Sequence, residues 1–183
     1  MDKMVMISGS PASDSRSDAV LEYIGKQFEK RGVKVSTFSV RDLPPEQFFQ
    51  PDYRGEPLRA MLEALSEADG YVIASPVYNL FMTGILKALL DLLPRDVFGR
   101  KPVLPLMIGG TEKHFMALDF ALKPVLAFMK GKTLSGVYLL DRKVDKRAEN
   151  PLADPDIQRR IERQMDEMLQ MIKDKRCKEM KRS

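Results

Sequence analysis

The sequence predicts an α/β domain, a parallel sheet of five strands with helices covering both faces. Two observations predict it. Short β-like apolar runs alternate with longer segments of helical period along the chain. The count is five of each, which calls for crossover connections and therefore parallel strands buried on both faces. The length of 183 residues fits one compact domain with a few residues to spare.

The elements follow in order. Residues 3–8 form the first strand, and residues 16–31 a helix with Ala19, Val20, Tyr23, Ile24 and Phe28 on one face. Gly32 stops that helix. Residues 33–38 form the second strand and 58–68 the next helix. Asp69-Gly70 turns the chain into the third strand at 71–74. A helix at 83–93 ends at Pro94, and the fourth strand at 102–108 closes on Gly109-Gly110. A long helix at 113–129 is apolar all round, and Pro124 removes the donor for the carbonyl of Phe120, so this helix is distorted there. A fifth strand at 133–140 and a closing helix at 157–173 complete the set. Right-handed crossovers leave few topologies, and the flavodoxin-like three-layer sandwich, strand order 2-1-3-4-5, is the commonest for this count. The loop at 44–57 carries Phe48, Phe49 and Tyr53, aromatics that are expected to pin it to the core.

Composition removes several functions. One cysteine, Cys177, forms no internal disulfide, and one histidine, His114, leaves no metal-ligand set. No apolar run reaches the roughly 20 residues of a membrane span. The chain opens almost directly on a strand-like run with no leader pattern, so a cytoplasmic location is expected. Six basic against two acidic residues between Lys173 and Ser183 account for the whole net charge of +4. The body is neutral, and nucleic acid is not an expected partner. The domain is read as 1–175, with a basic tail at 176–183.

In such a sheet the ligand sits at the carboxyl ends of the strands, at the switch point between strands 1 and 3. The loop after strand 1, from Ser8 to Ser17, holds five serines and Arg16 and runs straight into a helix. Hydroxyls, a guanidinium and open helix N–H groups suit a phosphate. The plainer alternative is a turn in which Ser15 caps the helix. After strand 3, Pro76-Val77-Tyr78-Asn79 offers a stiff apolar wall with edge-on backbone donors, as a flat ring requires. Lys87 and Asp91 stand at i and i+4, the spacing of a surface ion pair. After strand 4, Gly109-Gly110-Thr111 serves either close approach to a ligand or a turn capped by Thr111. His114 could act as a base or be structural.

These stretches resemble the NADPH-dependent FMN reductases, and most closely the reductase component of two-component alkanesulfonate monooxygenase systems. The resemblance rests on Gly9-Ser10-Pro11 with Ser15-Arg16-Ser17, on Ser75-Pro76-Val77-Tyr78 with residues 84–94, on Gly109-Gly110-Thr111, and on residues 121–126. It covers roughly the first 140 residues. It implies that Ser10, Ser15, Arg16 and Ser17 hold the FMN phosphate. It also implies that Pro76, Val77, Tyr78, Asn79, Gly109, Gly110 and Thr111 line the isoalloxazine. NADPH then delivers hydride to FMN, and reduced flavin passes to a partner monooxygenase. No catalytic side chain is assigned, because hydride transfer needs alignment more than an acid or base. The relatives carry a π-type bulge in the long helix at a subunit interface, with a tyrosine where this chain has Phe120. The chain is therefore expected to form a homodimer or homotetramer through residues 81–93 and 113–129. Phenylalanine lacks the tyrosine's hydroxyl, which leaves open flavin held as a prosthetic group. Three other readings stay open: a tightly FMN-bound quinone, azo-dye or chromate reductase, a flavodoxin-type electron carrier, and an α/β protein that binds no flavin.

Overall fold

In the computed structural model, which describes residues 1–181, the sheet order is β2-β1-β3-β4 with an edge strand in two pieces, all parallel. The strands are β1 (Lys3–Ser8), β2 (Lys34–Ser39), β3 (Gly70–Pro76), β4 (Pro102–Gly109), β5 (Lys132–Thr133) and β6 (Val137–Leu140). The α-helices are α1 (Arg16–Lys30), α2 (Leu58–Glu67), α3 (Gly84–Leu92), α4 (Lys123–Phe128) and α5 (Pro155–Met180). Alternate residues of each strand feed two cores. Val5, Ile7, Tyr71 and Ile73 pack toward α2, α3 and α4. Met4, Met6, Val72 and Leu106 pack toward α1 and α5.

The expected fifth strand is broken, and Pro105 is the reason. Val103 accepts from Leu134 N–H at 2.9 Å, so Val103 faces the edge strand, and Pro105, two residues on, faces it too. Pro105 has no N–H to give, and the ladder lapses opposite it. Pairing resumes at Leu106 with Val137. Gln164 of α5 fills the gap from the side: its Oε1 accepts from Gly136 N–H at 2.6 Å, and its Nε2 donates to Gly136 O at 3.1 Å.

The long helix is divided in the same way. A 3₁₀ turn at Glu112–Phe115 and a π segment at Leu118–Leu122 precede the six-residue α4. Pro124 cannot donate to the carbonyl of Phe120, and the Lys123 N–H reaches instead to Leu118 O, a five-residue bond. The distortion expected from Pro124 is therefore present as a π turn. At the other end, α5 runs on to Met180, where Arg176 pairs with Asp2 and with Asp69 at 2.9 Å. A boundary at 175 falls inside this helix, because the expected tail is tied to the amino end of the sheet. Arg182 and Ser183, the last of that tail, lie outside the described residues. Of the loop aromatics only Phe48 packs on the core; Phe49 and Tyr53 are exposed.

Replacing Gln164 by Leu leaves the buried N–H and C=O of Gly136 without partners. Urea denaturation should show a loss of at least about 2 kcal/mol, since each orphaned group costs about 1–3 kcal/mol.

Candidate active site

Gly9 joins the first loop to the third strand and to α3. Its N–H donates to Ala74 O at 2.7 Å, and its carbonyl accepts from Thr83 Oγ1 at 2.6 Å. A Cβ at this position would stand 2.7 Å from Leu86 Cδ2, so only glycine lets the loop lie this close to α3. Thr83 also caps α3 by accepting from Leu86 N–H. Beyond Gly9 the loop folds on its own serines. Ser8 Oγ accepts from Ser10 N–H, Ser10 Oγ from Ala12 N–H, and Ser15 Oγ from Asp18 N–H as the cap of α1.

A cavity of about 250 Å³ opens beside this loop at the carboxyl edge of the sheet. The first loop gives it Ser10, Ala12, Asp14, Ser15, Arg16 and Ser17. Pro76, Val77 and Tyr78 follow from β3, Ile108, Gly109 and Gly110 from β4, and Asp141 from beyond β6. Ser17 is 1% exposed, and its Oγ has no hydrogen-bond partner. An unpartnered buried hydroxyl is costly, and Ser17 belongs to the cavity lining, so a ligand acceptor beside it would relieve that cost. Arg16 Nε donates to Val144 O at 3.3 Å, which fixes the base of its guanidinium. The N–H groups of Arg16 and Ser17 are the first of α1, where no intrahelical acceptor exists. Hydroxyls, open amides and one guanidinium thus converge at a helix start, the donor set of a phosphate site.

Comparison with known proteins agrees with this geometry. The family model described as NADPH-dependent FMN reductase matches residues 3–145. The chain belongs to the NADPH-dependent FMN reductase family. It is 40% identical to the FMN reductase (NADPH) of Pseudomonas putida, over 77% of this chain and 72% of that one. It is 35% identical to the FMN reductase (NADPH) of Escherichia coli strain K12, over 93% of this chain and 90% of that one. Among solved structures, the apo form of an NADH:FMN oxidoreductase (EMOB) superposes with a TM-score of 0.81 at 27% identity, covering 92% of this chain and 88% of that one. A flavodoxin from the domain Archaea shares the fold, with a TM-score of 0.63 at 16% identity over 93% of this chain and 99% of that one.

Nine of the eleven residues expected to bind flavin line this reductase's cavity; Asn79 and Thr111 do not. Asn79 and Leu80 both have positive φ, 49° and 63°, and form the tip of a tight turn in which Tyr78 and Phe81 exchange backbone hydrogen bonds. That turn carries Asn79 away from the wall. Thr111 caps the 3₁₀ turn by accepting from Lys113 N–H, and its carbonyl accepts from Tyr138 Oη at 2.6 Å. The cap is realised at Thr111, while Gly109 and Gly110 line the cavity. Gly109 meets protein on one side: a Cβ would lie 2.3 Å from Tyr138 Oη. Burial and the nearby Asp141 carboxylate hold that phenol above its ordinary pKa, so it stays protonated and donating. His114 Nδ1 is buried without a partner and lies off the cavity. Lys87 and Asp91 form the plain ion pair at 2.7 Å.

Sequence reasoning missed Ala12, Asp14, Ile108 and Asp141. Asp14 sits inside the loop already singled out, and Asp141 follows the last strand at the same sheet edge. Both carboxylates oppose an anion. Lys146 answers the first, binding Asp14 Oδ2 at 2.6 Å and holding its carboxyl below the usual range. Among the described residues no helix is long and apolar enough to cross a membrane, and no cluster of His, Cys, Asp and Glu could hold a metal.

Gly109→Ala should cost about 1–3 kcal/mol by displacing the Tyr138 hydroxyl. Adding Tyr138→Phe should return part of that loss, so the double variant is more stable than the sum of the single losses predicts, as measured by chemical denaturation.

Proposed function

We propose that this protein reduces FMN with NADPH and passes reduced flavin to a flavin-dependent monooxygenase. The observation that carries the reading is Ser17, a residue of the cavity lining at the start of α1 whose buried hydroxyl has no partner. Ser10, Ser15, Arg16 and Ser17 would hold the phosphate, and Pro76, Val77, Tyr78, Gly109 and Gly110 would border the ring. Asn79 and Thr111 would act by shaping the two loops. When bound, FMN accepts a hydride from the nicotinamide, which needs alignment rather than a protein acid or base. The chain's own contribution is position: Val77 N–H donates to Ile108 O at 2.7 Å and ties the two ring-side loops together. Family membership and the NADPH-named relatives support the nucleotide. An NADPH-fed reductase would accord with a cytoplasmic setting.

Steady-state assays test this directly. NADPH oxidation should rise on adding free FMN, and Arg16→Ala should weaken FMN by tenfold or more, the scale of a hydrogen bond to a charged group. A protein that purifies yellow and turns over without added FMN would instead support the bound-flavin quinone, azo-dye or chromate reductase. A protein with no NADPH turnover would support the electron carrier.

We also infer a homodimer or homotetramer built on residues 81–93 and 113–129. Phe81, Phe115, Met116, Phe120 and Phe128 are all exposed, Phe120 by 73%. Exposed large apolar side chains concentrated in these two segments of the chain are what a subunit interface would cover. Light scattering should find an oligomer for the wild type and a smaller species for Phe120→Glu with Phe128→Glu. A wild-type monomer would remove the interface.

A further inference from the structure

We infer that Arg41 is a positioning residue for the flavin phosphate, acting from the far side of the first loop; the inference rests on the flavin-phosphate reading of the cavity. Arg41 does not line that cavity. It borders a separate hollow behind the loop, with Ser13, Asp18 and Ser39. Its Nη1 donates to two loop carbonyls, Ser10 O at 2.6 Å and Ala12 O at 2.9 Å. Its Nη2 donates to Asp18 Oδ2 at 3.0 Å, in the first turn of α1. One planar guanidinium therefore ties the first limb of the loop, at Ser10 and Ala12, to the helix start at Asp18.

The base of Arg41 is equally fixed. It lies on a 3₁₀ turn at Val40–Asp42. Ser39 Oγ accepts from Arg41 N–H, and Asp42 Oδ2 accepts from Ser39 N–H, a reciprocal capping box. Both guanidinium and partner are partly buried, with side chains 31% and 25% exposed. The pair thus holds a geometry rather than floating on the surface.

The consequence is electrostatic. Backbone carbonyl oxygens repel a phosphate, and the two that the loop could turn inward are drawn outward by Arg41. In a planar trans peptide the N–H points opposite to the C=O, so the Ser13 N–H points away from Arg41. Ser10, Ser15 and Ser17 line the cavity, while Arg41 holds the carbonyls of Ser10 and Ala12 on its own side of the loop, where Ser8 and Ser13 also lie. Arg41 acts through the loop and need not touch the ligand.

The test compares FMN with riboflavin, which has the same ring and no phosphate. Dissociation constants for both are measured on wild type, Arg41→Gln and Arg41→Lys, with melting temperatures in parallel. The expected result is wild-type preference for FMN and a roughly tenfold loss of FMN affinity in Arg41→Gln with riboflavin unchanged. Arg41→Lys should lose nearly as much, because lysine keeps the charge without the planar fork that spans three acceptors. Equal losses for both flavins, or none, would overturn the role of Arg41. Full FMN affinity in Arg41→Lys would also overturn it, assigning the effect to charge alone. If Arg41→Gln fails to fold, the lysine variant carries the same comparison. A wild type that binds riboflavin as tightly as FMN would fail the phosphate reading itself, and the inference with it.

Discussion

The close passage of Gly9 over α3 is the contact on which the site depends. Through its two backbone bonds, to Ala74 and from Thr83, the loop after β1 is fastened to the strand and helix that carry the second loop. Val77 then fastens the second loop to β4. Three loops distant in sequence become one rigid rim, and no side chain in the rim has to be long to reach the cavity. A side chain on Gly9 would force the first loop off α3 and separate the hydroxyl-rich wall from the apolar one.

The rim holds little net positive charge. Arg16 shares the cavity lining with Asp14 and Asp141, and Lys146 is paired to the first of these. Recognition of a dianion must then come from oriented dipoles: serine hydroxyls, the first amides of α1 and the field of the helix itself. Such dipoles work only when fixed, since a loop free to rotate would present carbonyls as readily as amides. This explains why so many of the polar contacts near the cavity run from the loop to itself or to its supports, while Ser17 is left without a partner.

Two prolines shape the other half of the molecule. Pro105 withholds a donor from the edge strand, and Pro124 withholds one from the long helix. Each loss is absorbed locally, by the Gln164 amide in one case and by a five-residue helical bond in the other. Neither break unfolds its element, because flanking residues stay buried: Leu104 and Leu106 in the sheet, Leu118, Leu122 and Leu126 in the helix. The π segment also changes which residues face outward, leaving Phe120 at the surface while Leu118 and Leu122 remain inside.

The order and type of the elements were legible in the sequence because they follow local rules: strand runs, helical periods, and the stops at Gly32 and Pro94. The serine-rich loop was legible for the same reason, since its donors are consecutive. What the chain alone could not show depends on neighbours remote in sequence. Gln164 meeting Gly136, Arg41 behind Ser10 and Ala12, and Tyr138 against Gly109 join residues about 28 to 31 positions apart. Thr111 and Asn79 stand outside the cavity lining because loop membership does not fix direction, and backbone turn geometry does. Periodicity, which is local, determined the order and type of the elements, and the resemblance carried by short loop motifs pointed to the flavin. Only the packed sheet, which brings distant segments within bonding range, decided which atoms face the cavity and which hold it open.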